Sequence, residues 1–429
     1  MRISTQPYKG SRDFYPEDMQ IRNYIFSTWR TVCKRFGYEE YDGPFIESFD
    51  LYAAKTGEEI VGQQLYSFED RGGRKVAIRP EMTPTVARMV AGKIKTLPRP
   101  SRWFSIPNLW RYEKPQKGRL REHFQLNADI FGEESTEADF EVMSLVIAVM
   151  LEFGATEKMF ETRFGNRHLL EEMLKNLDLS SDQIQKTIKV IDKKSKVSKE
   201  DFVSMLKDAK LSEKQIDGVS HIVENPQKAV EEVSDRTQGA KEVAKLLKLA
   251  KMTKMDKYLK YDPTIVRGFD YYTSNVFELF DLKPDNSRSM CGGGRYDNLL
   301  EIFGAEKLPA TGFGMGDVTM KNFLESWELL PALTAECEYL VTRWPSENEK
   351  FLETALEIAN YLRKKGKNTQ MWLSENTKLD KQLKYADKQK VNYAVIVGED
   401  ELKNSTVTIK NLKSGKQETK PLEKFLGEL

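Results

Sequence analysis

The chain has 429 residues, with 67 lysines and arginines against 66 aspartates and glutamates, and 31% of its side chains are charged. At roughly 150 residues per domain this length predicts about three domains, ample to bury cores. The near-balanced charge excludes a global basic field, so a nucleic-acid partner has to be met by local patches, and no apolar run reaches the roughly 20 residues that cross a bilayer. Residues 17–36 read as an amphipathic helix, with Ile21, Tyr24, Ile25, Trp29, Val32 and Phe36 at three- and four-residue steps. A turn at Gly43 and Pro44 precedes extended segments at 65–68 and 76–78, joined by the hairpin-type turn DRGGR at 70–74. A short helix is expected at 84–93, then strands at 101–111 and 121–131. A long apolar helix follows at 136–153, with Thr136 as N-cap.

From 177 to 258 the composition turns to Lys, Asp, Glu, Ser and Leu, with repeated Ser/Asp starts that read as short helices and a break at Asn225-Pro226. Strands are expected around Tyr271 and at 276–282, then a CGGGR turn, the segment TGFGMGD and a helix at 318–329. After a linker at 331–336 comes an alternation: strand 337–341, helix 347–365, strand 369–373, helix 378–388, strand 393–397 and strand 406–410. That alternation predicts a separate α/β domain with a largely parallel sheet. The first 165 residues mix strands and helices without a regular βαβ repeat, which predicts α+β. Cys33, Cys291 and Cys337 are isolated, and His123, His168 and His221 lack metal-ligand spacing. No metal site is expected, and the thiols fit a reducing, cytoplasmic setting. The N-terminal MRISTQPYKGSRDF lacks the apolar core of a signal peptide.

The segment RYEKPQKGRLREHFQ, 111–125, concentrates the chemistry. Pro115, Lys117 and Gly118 mark a turn between two extended arms. Strand alternation puts Arg111 and Glu113 on one face of the first arm, and Arg121, His123, Gln125, Asn127 and Asp129 on one face of the second. A guanidinium beside a carboxylate under a basic loop suits a nucleotide: Arg grips phosphate with two parallel hydrogen bonds and Glu accepts from an exocyclic amine. A solvated charged hairpin is the competing reading of this segment alone.

This stretch resembles motif 2 of the class II aminoacyl-tRNA synthetases, and its KPQKGR loop resembles the histidyl-tRNA synthetase family. TIVRGFDYYTSNVFE (264–278) is similar to that family's histidine signature. KGSRDFYPEDM, RPEMTPT and CGGGRYDNL resemble its N-terminal segment, amino-acid loop and glycine-rich turn. The resemblance implies a catalytic domain over 1–165 and 262–330 with an antiparallel sheet flanked by helices. It implies a helical insertion at 166–261 and a C-terminal α/β anticodon-binding domain at 336–429. It also implies L-histidine, ATP with Mg2+ and tRNA(His) as partners, and a homodimer joined through 17–46. Arg111 is implied to hold the α-phosphate and the substrate carboxylate, Glu113 to read adenine, and Arg119 to reach outer phosphates or the acceptor stem. Arg267 is implied to contact the α-phosphate from the opposite side. Glu81, Met82 and Thr83 are implied at the histidine, Glu81 and Thr83 binding its amino group; Gln125 and Asp129 approach the same substrate. Tyr271 and Tyr272 are implied to close the pocket, and alternation along a strand would let one line it while the other packs as core.

Two positions depart from the family's pattern. Thr319 stands where a motif 3 arginine is expected, which removes one γ-phosphate contact, and Lys321 would face elsewhere on a helix. HFQ replaces FHQ or FYQ, so strand parity predicts that His123 stacks on adenine and Phe124 packs behind. Three functions compete. The first is histidine–tRNA ligation. The second is a regulatory subunit resembling the synthetase-like partner of ATP phosphoribosyltransferase, favoured by Thr319 and opposed by the whole VRGFDYYT and the C-terminal domain. The third is a sensor of uncharged tRNA, whose kinase-fused relatives are far longer.

Overall fold

The computed structural model describes residues 3–54, 60–116, 118–194, 197–233, 237–266, 271–284, 286, 289–333, 336–344, 349–374 and 377–427. Contacts divide the chain into two compact units, Met1–Leu330 and Pro331–Leu429.

The first unit opens with α1 (Pro16–Arg35), β1 (Glu39–Glu40), β2 (Ile46–Ser48), α2 (Phe49–Ala53), β3 (Ser67–Glu69), β4 (Lys75–Ile78) and α3 (Thr83–Lys93). Next come β5 (Ser101–Ser105), β6 (Asn108–Trp110), β7 (Glu122–Phe131), α4 (Thr136–Glu152) and β8 (Phe160–Asn166). Six helices follow: α5 (Arg167–Lys175), α6 (Ser181–Ile191), α7 (Lys199–Asp208), α8 (Glu213–Glu224), α9 (Pro226–Glu232) and α10 (Gln238–Met252). The unit ends with β9 (Leu259–Tyr261), β10 (Asn275–Asp281), β11 (Ser289–Arg295), β12 (Ala310–Gly316) and α11 (Asp317–Ser326). The central sheet has the order β1-β5-β7-β12-β11-β10-β8-β9, with β6 added beside β7. It is antiparallel except where β1 meets β5 and β9 meets β8.

Alternation gives the sheet two chemical faces. On β7, Leu126, Ala128 and Ile130 are fully buried against one core, while Gln125, Asn127 and Asp129 face the other way. α4 is apolar nearly all round, as a helix must be when enclosed on every side. Its residues, the α1 stripe of Ile25, Trp29 and Val32, and side chains from α5 to α10 share one continuous core with the sheet. α5 and α10 pack on β8, α6 to α9 pack successively onto one another beyond α5, and β9 continues the sheet's edge.

Several local expectations are corrected. The strand predicted at 101–111 is broken into β5 and β6 at Ile106 and Pro107, because proline has no N–H for the ladder. Ser135, extended at φ −68°, and not Thr136, is the N-cap of α4. CGGGR is not a turn: it lies inside β11, paired on both sides. Tyr271 and Tyr272 precede β10 and belong to no strand.

The second unit contains β13 (Tyr339–Val341), α12 (Glu349–Lys364), β14 (Thr369–Met371), α13 (Leu379–Lys388) and β15 (Tyr393–Ile396). It closes with α14 (Glu399–Asn404), β16 (Thr406–Asn411), β17 (Gln417–Pro421) and α15 (Leu422–Gly427). Its order is β14-β13-β15-β16-β17. Only β14, β13 and β15 are parallel; β16 and β17 run antiparallel, so the largely parallel expectation fails for the last strands. The link from β16 to β17 turns at Gly415, φ +71°, and is too short for the crossover that a parallel pair needs.

Candidate active site

The inward face of the first unit's sheet is floored by glycine. Register pairs Gly292 with Gly314 and Gly294 with Gly312, so bare backbone lies side by side on β11 and β12. The gap is filled from β7. A Cβ on Gly312 would lie 2.0 Å from Asp129 Oδ1, and one on Gly314 would lie 2.7 Å from Gln125 Cδ. These glycines give Gln125 and Asp129 room to lie across the sheet.

Above this floor is a pocket of about 100 Å³, lined by Glu81, Thr83, Arg111, Gln125, Asn127, Asp129, Tyr271, Tyr272 and Tyr296, with Gly292, Gly312 and Gly314 below. The Tyr296 hydroxyl donates to Asp129 Oδ1. Burial pushes the Asp129 carboxyl up to about 7, and the Tyr296 bond pulls in the opposite direction. Tyr271 sits 4.7 Å from Tyr272 and 5.9 Å from Tyr296 between ring centroids, so three phenols wall one end. Both signature tyrosines therefore line the same pocket, contrary to the one-in, one-out expectation; outside a strand the two-residue period does not apply.

The pocket opens at Arg111, Gln125, Gly292 and Gly314 into a cleft of about 1010 Å³. Glu113, Arg119, His123, Arg163, Lys283, Met290 and Thr319 line the cleft. Arg111 is anchored by Nε donating to the Pro80 carbonyl at 2.9 Å, which aims the rest of the guanidinium at the junction of the two cavities. Glu113 and Arg119 face each other across the hairpin at 2.8 Å. The loop between them turns at Gly118, φ +78°, closed by reciprocal bonds between Gln116 and Arg119. His123 faces the cleft, and Phe124 turns away onto Phe14 and Phe26. Burial and the charges of Arg111, Arg12 and Arg119 push the His123 imidazole down to about 3, so its ring is neutral.

Other sequence candidates land elsewhere. Arg121, expected on the His123 face, is instead stacked 3.9 Å over Tyr112 and bonded to the Tyr8 hydroxyl, because the bend before β7 breaks the alternation. Met82 is fully buried beside Gly43 and Arg79 as its neighbours Glu81 and Thr83 reach the pocket. Arg267 lies outside the described residues. Thr319 lines the cleft with its hydroxyl donating to the Gly316 carbonyl at 3.1 Å, while Lys321 pairs with Asp18 and Glu325. Asn127 lines the pocket on the face expected for it, while Tyr296, Arg163 and Lys283 were not singled out by the sequence reading. The alternate glycines of 292–294 and 312–316 were the available signal for the floor. Among the described residues no group of three or more His, Cys, Asp or Glu side chains is placed to hold a metal ion, and no helix is long and apolar enough to cross a membrane.

Comparison with known proteins identifies the family. A family model described as Histidyl-tRNA synthetase matches residues 10–317, and one described as Anticodon binding domain matches 341–429. A histidine–tRNA ligase of Leptospira biflexa is 45% identical, covering 97% of this chain and 95% of its own. One from Haloarcula marismortui is 37% identical, covering 98% and 96%. Among solved structures, histidyl-tRNA synthetase from Nostoc sp. PCC 7120 superimposes with a TM-score of 0.84 at 22% identity, over 100% of this chain and 99% of that one. An ATP phosphoribosyltransferase regulatory subunit/histidyl-tRNA synthetase from Bacillus halodurans has the same fold, TM-score 0.75 at 24% identity, over 90% and 97%. With the sequence match extending across both units, this chain belongs to the histidyl-tRNA synthetase family.

Proposed function

We propose that the chain activates L-histidine with MgATP to histidyl-adenylate and then transfers the histidyl group to the 3′ end of tRNA(His). The observation that carries this reading is the junction at Arg111. One guanidinium borders both a small polar pocket with a buried carboxylate and a large cleft with cations and a glycine floor. A carboxylate held there lies beside the place where an α-phosphate would be gripped.

In the first step the histidine carboxylate attacks the α-phosphorus, an oxygen–phosphorus bond forms, and pyrophosphate leaves in line. Arg111 neutralises charge on both reactants, and Arg267 supplies the second cation. Glu81, Thr83 and Gln125 hold the amino group; Asp129 and the tyrosine wall satisfy the imidazole nitrogens, so an apolar analogue would leave buried polar groups unpaired. His123 offers a neutral ring to adenine and Glu113 accepts from its amine. Arg119 is half exposed but Glu113 is buried, so phosphates that draw Arg119 off Glu113 must leave it a replacement partner, which the adenine amine supplies. Mg2+ enters with the nucleotide, held by phosphates and water with few protein ligands. In the second step a terminal ribose hydroxyl of the tRNA attacks the adenylate carbonyl and AMP leaves.

The domain plan of the sequence reading is retained: catalysis in 1–165 and 262–330, a helical insertion at 166–261, and anticodon binding in 336–429. Exposed Lys378, Lys381, Lys384, Lys388 and Lys390 are available to phosphates. Phe45 and Ile46, exposed at the start of β2, support a homodimer through 17–46. A cytoplasmic setting is retained on the isolated thiols.

Histidine-dependent ATP–pyrophosphate exchange, followed by charging of tRNA(His), tests the reading. Histidine binding without exchange would overturn it in favour of a regulatory subunit or sensor.

A further inference from the structure

The pocket wall that carries Tyr271 and Tyr272 belongs to no strand, so no sheet ladder holds it. On one side β11 grips it: the Thr273 amide donates to the Arg295 carbonyl at 2.8 Å, and the Thr273 hydroxyl to Asp297 at 2.9 Å. On the other side the grip comes from the helices after β8. Arg167 Nη1 donates to the Tyr272 carbonyl at 2.7 Å, and the Arg167 amide to the Ser274 carbonyl at 3.2 Å. Glu242 Oε2 accepts from the Ser274 hydroxyl at 2.6 Å and from Asn166 Nδ2 at 2.6 Å.

Two features tie these contacts to the wall and not to the helices themselves. Arg167 is the first residue of α5, where a cation opposes the helix dipole, and the helix is already capped by Asn166 accepting from the Leu169 amide at 2.8 Å. The local physics of the helix disfavours arginine there; the Tyr272 carbonyl accounts for it. At the start of α10, a Cβ on Gly239 would lie 2.3 Å from the Leu169 amide nitrogen. Only glycine lets α10 come that close to α5, and this approach sets Glu242, one turn later, against Ser274.

We propose that Arg167 and Glu242 are positioning residues for the amino-acid pocket: they tie the α5/α10 helices to the tyrosine wall and so set its affinity for histidine. This rests on the histidine-activating function proposed above. Neither residue lines the pocket, so each acts through the backbone and hydroxyl it holds.

The test uses the full chain with Arg167→Met, Arg167→Lys, Glu242→Ala and Glu242→Gln. Losing the charged contact in Arg167→Met should raise the histidine KM in pyrophosphate exchange about tenfold. The ATP KM should stay within about twofold, since the loss is of ground-state positioning at one substrate. Arg167→Lys and Glu242→Gln should recover most of the loss. In the ligand-free protein, hydrogen–deuterium exchange at 271–275 should quicken in Arg167→Met and Glu242→Ala while α4 is unchanged. An unchanged histidine KM, an equal rise in the ATP KM, or unchanged exchange at 271–275 overturns the proposal. Should Arg167→Met fail to fold, Glu242→Ala carries the same measurements, with Glu242→Gln as its conservative partner. A wild-type chain without histidine-dependent activity would instead overturn the proposed function, and hydrogen exchange would still decide whether the helices hold the wall.

Discussion

Asp129 is a buried carboxylate that costs the fold stability, and its removal has a calculable signature. The carboxyl is enclosed on β7 over the glycine floor, where the Tyr296 hydroxyl donates to it. Burial raises it from 3.8 to about 7. Between those values the folded chain holds a proton that the unfolded chain has released, so stability falls as pH rises through that window. Above about pH 7 the full penalty is present, and at 1.36 kcal/mol per pKa step it amounts to about 4 kcal/mol. Asp129→Asn keeps the volume and an oxygen to accept from Tyr296 but carries no charge. It should therefore be more stable than the parent at pH 8 by about 2–4 kcal/mol, with the gain vanishing toward pH 4. Urea melts of the ligand-free proteins from pH 4 to pH 8 measure this difference. The same change should raise the histidine KM about 10- to 100-fold, because a charged acceptor for the imidazole is gone. A stability difference independent of pH, or a variant less stable at pH 8, would refute the assignment of a strained buried carboxylate.

Gly312→Ala should destabilise the chain by about 3 kcal/mol in urea melts and abolish histidine-dependent exchange, because its Cβ meets Asp129 and the Ala128 carbonyl; Gly314→Ala meets only a flexible glutamine and should mainly raise the histidine KM. Arg267→Ala should depress exchange by about 10²–10³ with the fold intact by circular dichroism, and Arg267→Lys should rescue little, since a point charge cannot reproduce the planar fork. A chain ending at Leu330 should keep pyrophosphate exchange but lose tRNA charging; full charging by it would remove the anticodon role from the second unit. Light scattering at micromolar concentration should give twice the 49.6 kDa chain mass, and a value near 49.6 kDa would refute the dimer.

Much of this arrangement is local, and the sequence by itself determined that part. The α1 stripe, the two faces of β7 with His123, Gln125 and Asp129 on one side, and the capping-box starts of α6 and α8 follow from periods of 3.6 and 2 and from Ser/Gln caps. Family motifs named the pocket residues Glu81, Thr83, Arg111 and Tyr272 before any packing was known. Local patterns failed where the backbone departed from a regular element: at Pro107, which splits a strand, at Arg121, which sits in a bend, and at Tyr271 and Tyr272, which lie outside the strand assumed for them. Tertiary structure alone decided the contacts between distant segments. Asp129 meets Tyr296, 167 residues on; Gly292 lies beside Gly314; Arg167 holds Tyr272 across 105 residues. Strand alternation says which face a side chain takes. It is silent on which strand lies next door and in what register, because those are set when remote apolar faces close over a shared core.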